Sequence, residues 1–407
     1  MPPRSILTIS IPPFFRCPIS LDLMRDPVTL STGVTYDRCS IEKWFDDGNK
    51  TCPATMQLLE NFELIPNHTL RRLIQEWCVA NSSKGITRIP TPKPPIDLGQ
   101  VKIILEDIAN CTKQIENLKR LRAAATESPR NLKCLVEAGT PTALVSLMST
   151  RDLNTDTANS EALEVFSEAV ALLLMLPLDE KTRKLLAGSR HISSLSWLLS
   201  KGKIEAKITA ATLLENLAAD TDVKILASDT KRILEGLMEL LSGHSWPSAV
   251  KISLKCLLGI TRCRRTRIKI IEAGFIEVIV ELLPGADRVA TEQILAILET
   301  LSTCAEGREI ITQHALAIPM IVKNLLLLSD IATERAVGVL STVCLHSPDE
   351  AVFHEALNAG AFKKLLLLVQ LDCGPRIKNM ARELLKLFQR IADDCEASTP
   401  SYQIQSL

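Results

Sequence analysis

Beyond about residue 98 the chain carries an apolar rhythm that repeats. Residues spaced four, three, one and three apart form the sets Ala162-Phe166-Ala169-Val170-Leu173, Ala206-Ala210-Leu213-Leu214-Leu217 and Val250-Leu254-Leu257-Leu258-Thr261, the last ending on threonine. Ala290-Ile294-Ile297-Leu298-Leu301, Ala332-Ala336-Val339-Leu340-Val343 and Ile377-Ala381-Leu384-Leu385-Phe388 continue the series. Each set draws one wide apolar stripe along a helix. Successive sets start 44, 44, 40, 42 and 45 residues apart. A second register precedes each stripe: Leu144-Leu147-Met148, Leu195-Leu198-Leu199, Leu237-Leu240-Leu241, Ile279-Leu282-Leu283, Val322-Leu325-Leu326 and Leu365-Leu368-Val369. Three of these second helices follow an Ala-Gly pair, at Gly139, Gly274 and Gly360, where glycine suits a turn needing positive φ or close backbone approach.

Two helices and a short third in roughly 42 residues is the period of armadillo or HEAT repeats. The phrases Ile271-Glu-Ala-Gly-Phe-Ile and Leu357-Asn-Ala-Gly-Ala-Phe resemble armadillo rather than HEAT. Such layers cannot bury their stripes alone, so they are expected to stack into a right-handed superhelix. A helix from Leu98 to Ala125 fits neither register and is read as a cap on the first repeat, and Arg151–Glu161 as a polar loop insertion. Nuclear-import armadillo proteins read peptides with a ladder of Asn and Trp. Here only Asn216 takes a ladder position, with Thr300 and Thr342 in its place later, which disfavours an import receptor.

Four prolines at 90, 92, 94 and 95 separate this half from the residues before it and favour an extended spacer. The boundaries follow: a module over 10–83, a proline-rich linker over 84–97, a helical solenoid with a capping helix over 98–395, and a polar tail over 396–407. With 47 basic and 47 acidic residues there is no global field to recruit nucleic acid or a membrane surface. A local exception is Arg262, Arg264, Arg265, Arg267 and Lys269, read either as a seat for an anionic partner or as a solvated turn complementing a helix C-terminus. Prolines 12 and 13 break any leader-like apolar run, and no uncharged stretch is long enough to span a bilayer. The twelve cysteines form no CxxC and read as reduced core thiols. The six histidines read as caps and surface groups.

The module before the linker has a different pattern. Val28-Thr-Leu and Val34-Thr-Tyr36 flank Ser31-Thr32-Gly33 as a short hairpin. Asp37 is placed to cap a helix over Arg38–Asp47, and Asn67 caps a closing helix with Leu70, Leu73, Ile74 and Trp77 on one face. Two loops, one opening at Cys17-Pro18 and one at Cys52-Pro53, flank the central helix. That is the layout of a RING finger, which needs eight paired Cys or His ligands around two zincs. This segment offers only Cys17, Cys39, Cys52, Cys78 and His68, all unpaired, and Ser20 stands where a CxxC partner would fall. It is expected to bind no zinc and to need no cofactor, with Ser20, Asp26 and Asp37 bracing the loops.

CPISLDLMRDPV, TGVTYDRCSIEKWF, TCPATMQ and IPNHTLRRLIQEW, in this order, resemble the U-box along its length. With the armadillo-like half, the whole chain resembles a plant U-box ubiquitin-protein ligase with armadillo repeats. The fold implied is mostly α: a small α+β U-box, RING-like without zinc, followed by an armadillo-type α-solenoid superhelix. The function implied is an E3 ligase whose U-box recruits a ubiquitin-charged conjugating enzyme and promotes transfer to lysines of substrates on the repeats, often in stress or immune signalling. Carried over by motif, Ile19, Trp44 and Pro53, with Pro18, form the conjugating-enzyme contact. Trp44 is read as the anchor on a mostly exposed helix. The family's arginine clamp on ubiquitin falls at Met56, which cannot donate hydrogen bonds. No catalytic nucleophile is expected on this chain, since the thioester belongs to the conjugating enzyme. The alternative is a non-catalytic scaffold keeping a docking U-box. The expected location is cytoplasmic, with the nucleus and partner-recruited membrane surfaces as further places; homo-oligomerisation is left open.

Overall fold

The computed structural model describes residues 11–84, 86, 96–149, 160–218, 223–243, 247–346, 351–371 and 373–397. These form two compact units. One comprises the residues before Leu98 together with 126–133, the other Leu98–Ala125 and the residues from Cys134 onward. The proline-rich stretch and most of the polar tail lie outside the described residues.

The first unit is a three-stranded antiparallel sheet with two helices. β1 (Pro27–Thr29) sits between β2 (Thr35–Asp37) and β3 (Ile65–Pro66). Val28 faces Tyr36 across one pair and Pro66 across the other. The hairpin matches expectation; β3 is too short to have left a period-two signal. α1 (Arg38–Asp46) and α2 (His68–Ala80) follow the two outer strands. Asn67 caps α2 by accepting the Leu70 N–H at 3.0 Å. On α2 Ile74 is buried, but Leu73 is 47% exposed and does not share its face. The core brings Met24, Val28, Tyr36, Ile41 and Ile74 together with the buried sulfurs of Cys17, Cys52 and Cys78.

The second unit is helical throughout its described length. The expected single helix over 98–125 is two, α3 (Leu98–Ala109) and α4 (Gln114–Glu127). Cys111 and Lys113 between them hold positive φ, which no helix accommodates. α5 (Pro129–Glu137, its residues up to 133 counted in the first unit), α6 (Thr140–Ser149) and α7 (Ser160–Leu173) come first, and α8 (Glu180–Leu186), α9 (Ser189–Lys201) and α10 (Ile204–Leu217) make the second layer. α7 already includes Ser160 and Glu161, so the helix claims the end of the expected loop insertion; 150–159 lie outside the described residues. In the third layer one helix, α11 (Val223–Ser242), replaces the short first and second helices, and α12 (Pro247–Ile260) completes it. α13 (Arg264–Glu272), α14 (Phe275–Leu282) and α15 (Arg288–Leu301) follow, then α16 (Ala305–Gln313), α17 (Ala317–Asn324) and α18 (Asp330–His346). α19 (Ala351–Asn358), α20 (Ala361–Gln370) and α21 (Pro375–Ala397) end the series.

All the stripe residues are buried except Val250 and Leu258, which are half-buried. Gly139, Gly274 and Gly360 adopt φ of 80°, 78° and 88°, the left-handed turn expected before α6, α14 and α20. The second register fails once. α17 stops at Asn324, and Leu326 lies beyond it, exposed and at φ 59°. Lys364 of α20 closes that end, donating to the carbonyls of Val322, Lys323 and Leu325 at 3.0, 2.8 and 3.1 Å. Charged pairs link successive layers: Arg122 of α4 with Glu168 of α7, Lys251 of α12 with the α15 cap Asp287, Arg335–Glu299 and Arg376–Glu334. Exposed pairs of this kind add little stability and serve mainly to fix which surfaces meet. α21 presents Arg382, Glu383, Lys386 and Gln389 outward.

Two expectations about single residue types need correction. His191 is buried, not a surface group; its Nε2 lies 2.7 Å from Ser149 Oγ, and burial lowers its pKa. Among the cysteines, Cys39 and Cys111 are exposed and are not core thiols. Among the described residues no helix is long and apolar enough to cross a membrane.

Layers meet backbone to backbone where α11 crosses α9. A Cβ on Gly236 would stand 2.5 Å from the Leu199 carbonyl oxygen and 2.6 Å from its Cγ. Gly236→Ala is therefore expected to destabilise the solenoid by about 1–3 kcal/mol, because packed backbone cannot retreat. A denaturant melt of the full chain reads this as an earlier loss of helical signal.

Candidate functional site

Two loops of the first unit have the same sequence pattern and the same backbone. Cys17-Pro18-Ile19-Ser20-Leu21-Asp22 and Cys52-Pro53-Ala54-Thr55-Met56-Gln57 each open with Cys-Pro and carry a hydroxyl at the fourth position. In loop 1 the Leu21 N–H donates to the Cys17 carbonyl and the Cys17 N–H to the Asp22 carbonyl, both at 2.8 Å. In loop 2 the Met56 N–H donates to the Cys52 carbonyl and the Cys52 N–H to the Gln57 carbonyl, again at 2.8 Å. Each loop is closed behind by one isolated bridge, Arg16 to Leu23 and Thr51 to Leu58. The fifth residue of each turns through left-handed backbone, Leu21 at φ 60° and Met56 at φ 58°. That conformation costs a side chain of this kind on the order of 1–3 kcal/mol. It also throws both side chains outward, at 68% and 67% exposure.

Each loop wraps a buried sulfur. Cys17 Sγ faces the Asp37 N–H at 3.3 Å. Burial pushes its thiol up, but the N–H groups of Ser20, Asp37 and Ile19 and the Ser40 hydroxyl outweigh this and leave it lowered. Cys52 Sγ accepts from the Thr32 hydroxyl at 3.2 Å and lies 3.0 Å from the Tyr36 hydroxyl. Tyr36 accepts the Ala54 N–H at 3.0 Å, so its own proton is free to go to the sulfur. Burial again raises the Cys52 thiol, yet hydroxyls of Thr32, Thr55 and Tyr36 bring it down to about 6. Burial and the same sulfur raise the Tyr36 phenol.

The expected bracing residues take specific places in this arrangement. Asp37 stands at the N-cap of α1 but makes no side-chain cap. Its Oδ1 instead accepts the N–H groups of Arg25 and Asp26 at 2.7 and 2.8 Å, pinning the end of loop 1. Asp26 pairs with Arg38 Nε at 2.7 Å. Ser20 is exposed and its hydroxyl accepts only a long 3.4 Å bond from Asp22, so its part is played by its N–H toward Cys17. Cys17, Cys52, Tyr36 and Thr32 were not singled out from sequence as bracing groups. The duplicated Cys-Pro-x-Ser/Thr was the available signal. Among the described residues no three His, Cys, Asp or Glu side chains are grouped to hold a metal ion.

Between the loops runs α1. Trp44 is half-buried, and its indole N–H donates to the Thr51 carbonyl at 2.8 Å. Trp44 and Ile19 both pack against the common core, Pro53 is half-buried, and Pro18 is exposed. The arrangement can present an apolar surface from two rigid loops and a helix. It offers no activated nucleophile at that surface, because both low-pKa sulfurs are fully buried.

Comparisons with known proteins agree over both units. The description "U-box domain" matches residues 11–83 and "Plant U-box protein ARM repeat region" matches residues 100–404. The chain is 38% identical over 396 residues to the E3 ubiquitin-protein ligase PUB23 of Arabidopsis thaliana, covering 95% of this chain and 94% of that one. It is 41% identical over 406 residues to the U-box domain-containing protein 25 of the same plant, covering 95% and 94%. In fold it is similar to the crystal structure of an engineered protein, with a TM-score of 0.53, 21% identity and coverage of 72% and 68%.

The pKa of Cys52 gives loop 2 a pH signature. The thiol titrates at about 6 in the folded loop against an ordinary 9.0. A group lowered on folding stabilises fully above its unfolded value, and the contribution is lost as pH falls through the folded one. Hydrogen exchange of the Cys52–Gln57 amides in the full chain, corrected for intrinsic rates, should show protection rising from pH 6 to pH 9. Cys52→Ser, whose hydroxyl does not ionise in this range, should flatten that rise.

Proposed function

Because this chain belongs to the plant U-box proteins with an ARM repeat region, a family of E3 ubiquitin-protein ligases, we propose that its two loops and α1 dock a ubiquitin-charged conjugating enzyme while its repeats hold the protein to be modified. The chain is a ubiquitin transferase of the U-box type. What supports the docking assignment is one observation: Ile19, Trp44 and Pro53, distant in sequence, all come from the loop–helix–loop frame built around the buried sulfurs of Cys17 and Cys52.

The mechanism follows from what the frame lacks. No residue of this chain needs to carry ubiquitin. The reactive thioester stays on the conjugating enzyme, and the lysine comes from the substrate. The ligase contributes position: it restrains a flexibly tethered ubiquitin near its target, which converts a loose encounter into a local one. Trp44, tied through its indole to loop 2, supplies the large aromatic anchor, and Ile19, Pro18 and Pro53 its apolar surroundings. Met56 stands where the family's clamp arginine would reach ubiquitin. Its exposed side chain adds apolar contact there but no hydrogen bond. The reading extends to a cytoplasmic enzyme acting in stress or immune signalling.

Ile19→Ala, Trp44→Ala and Pro53→Ala are each expected to weaken docking by about 2 kcal/mol, close to thirtyfold. Binding of a charged conjugating enzyme by the full chain, measured beside circular dichroism, tests this. Normal binding by a folded variant would remove that residue from the assignment. Met56→Arg is expected to speed single-turnover discharge of ubiquitin onto free lysine without changing docking affinity. An unchanged rate would show that the clamp position is not what limits this enzyme.

A further inference from the structure

The repeats provide an internal control for their own charged residues. At the turn from α12 into α13, Arg267 donates through Nε to the Thr261 carbonyl at 2.7 Å and through Nη1 to Thr303 Oγ1 at 3.0 Å. One layer on, Arg308 donates to the equivalent Ser302 carbonyl at 3.1 Å. This arginine is the clamp of the turn, common to both layers. The register then sets Arg264-Arg265 against Ala305-Glu306 of α16, and Arg262 against Thr303. In α8 the matching start is Glu180-Lys181, behind the cap Asp179, which accepts the Thr182 N–H. The clamp therefore requires none of the other three arginines.

Their placement also runs against local electrostatics. The sequence pattern allowed this cluster to complement a helix C-terminus, but Arg264 and Arg265 occupy the first turn of α13, where positive charge is disfavoured. All three of Arg262, Arg264 and Arg265 are exposed. Arg262 is steadied by donating Nη1 to the Ala218 carbonyl at 3.2 Å. Among the described residues no ion pair engages any of the three. For Arg264 and Arg265 a local rule is broken without a structural return, which marks functional surface.

We propose that Arg262, Arg264 and Arg265 form a receptor for a phosphorylated serine or threonine on a protein partner. Guanidinium groups match a phosphoryl group through paired N–H donors, which ammonium groups do not. A membrane surface fits less well. Residues 247–288 expose no large hydrophobic side chain to enter a lipid interface, and the chain has no net charge to draw it there. The site is separate from the docking loops and does not depend on the ligase reading.

Fluorescence polarisation of the full chain is read with degenerate peptides fixed on phosphoserine or phosphothreonine, beside the same peptides unphosphorylated and beside phosphatidylserine vesicles. Phosphorylation should tighten binding by about tenfold or more, the scale of one charge-assisted hydrogen bond. The pair Arg264→Glu with Arg265→Glu should lose that gain, and the pair Arg264→Lys with Arg265→Lys most of it. Acidic residues suit the first turn of a helix, so the glutamate pair should melt no earlier than the parent and a loss cannot be ascribed to unfolding. Equal binding with and without phosphate, an unaffected glutamate pair, a lysine pair as tight as the parent, or preference for vesicles would each overturn the assignment.

Discussion

Irregular backbone has to satisfy its own polar groups, and in the U-box that requirement falls on two loops that must also stay rigid. A buried N–H without a partner costs roughly 1–3 kcal/mol. RING fingers meet the demand with metal-bound sulfur. Here sulfur stands at the loop centres, Cys17 and Cys52, and hydrogen bonds gather around it. The two loops do this with different donors: mostly backbone N–H groups around Cys17, hydroxyls around Cys52. The sheet, α1 and α2 pack on the same sulfurs, so the core and the two loops share one set of contacts.

The solenoid answers a different constraint. Its layers have apolar faces on both sides, and burial is complete only when the next layer arrives. Stripe residues such as Ala210 and Ile294 are fully buried because two neighbours cover them. Small residues set the spacing, and at Gly236 the approach is too close for any Cβ. Surface charge is then free to vary from layer to layer. That freedom allows Arg264-Arg265 to appear in one layer where its counterparts are Ala305-Glu306 and Glu180-Lys181, with the arginine clamp unchanged.

The sequence was most informative where periodicity and turn chemistry agree. The stripes from Ala162 to Phe388 and the turn glycines at 139, 274 and 360 were legible because each residue type has one physical use in that pattern. It was least informative where a local choice depends on distant partners. Nothing near Asp37 indicates that its carboxylate will turn away from its own helix to serve Arg25 and Asp26. The break at 110–113 and the early end of α17 both rest on non-glycine residues at positive φ, which sequence pattern disfavours. In the candidate site, Trp44 and the two prolines could be found by motif. The Tyr36–Cys52 pair could not, because a buried tyrosine and a buried cysteine each read as ordinary core until their 3.0 Å contact is seen.

The left-handed turn at Met56 limits what sequence change can do at the tip of loop 2. At φ 58° a side chain branched at Cβ clashes with its own backbone, so valine, isoleucine and threonine are poor replacements. Glycine would relax the strain but remove the side chain. Long unbranched residues all meet the same backbone cost, so methionine, lysine and arginine can exchange there without disturbing the frame. Substitution among them would retune what the ligase touches while the loop that presents it keeps its shape.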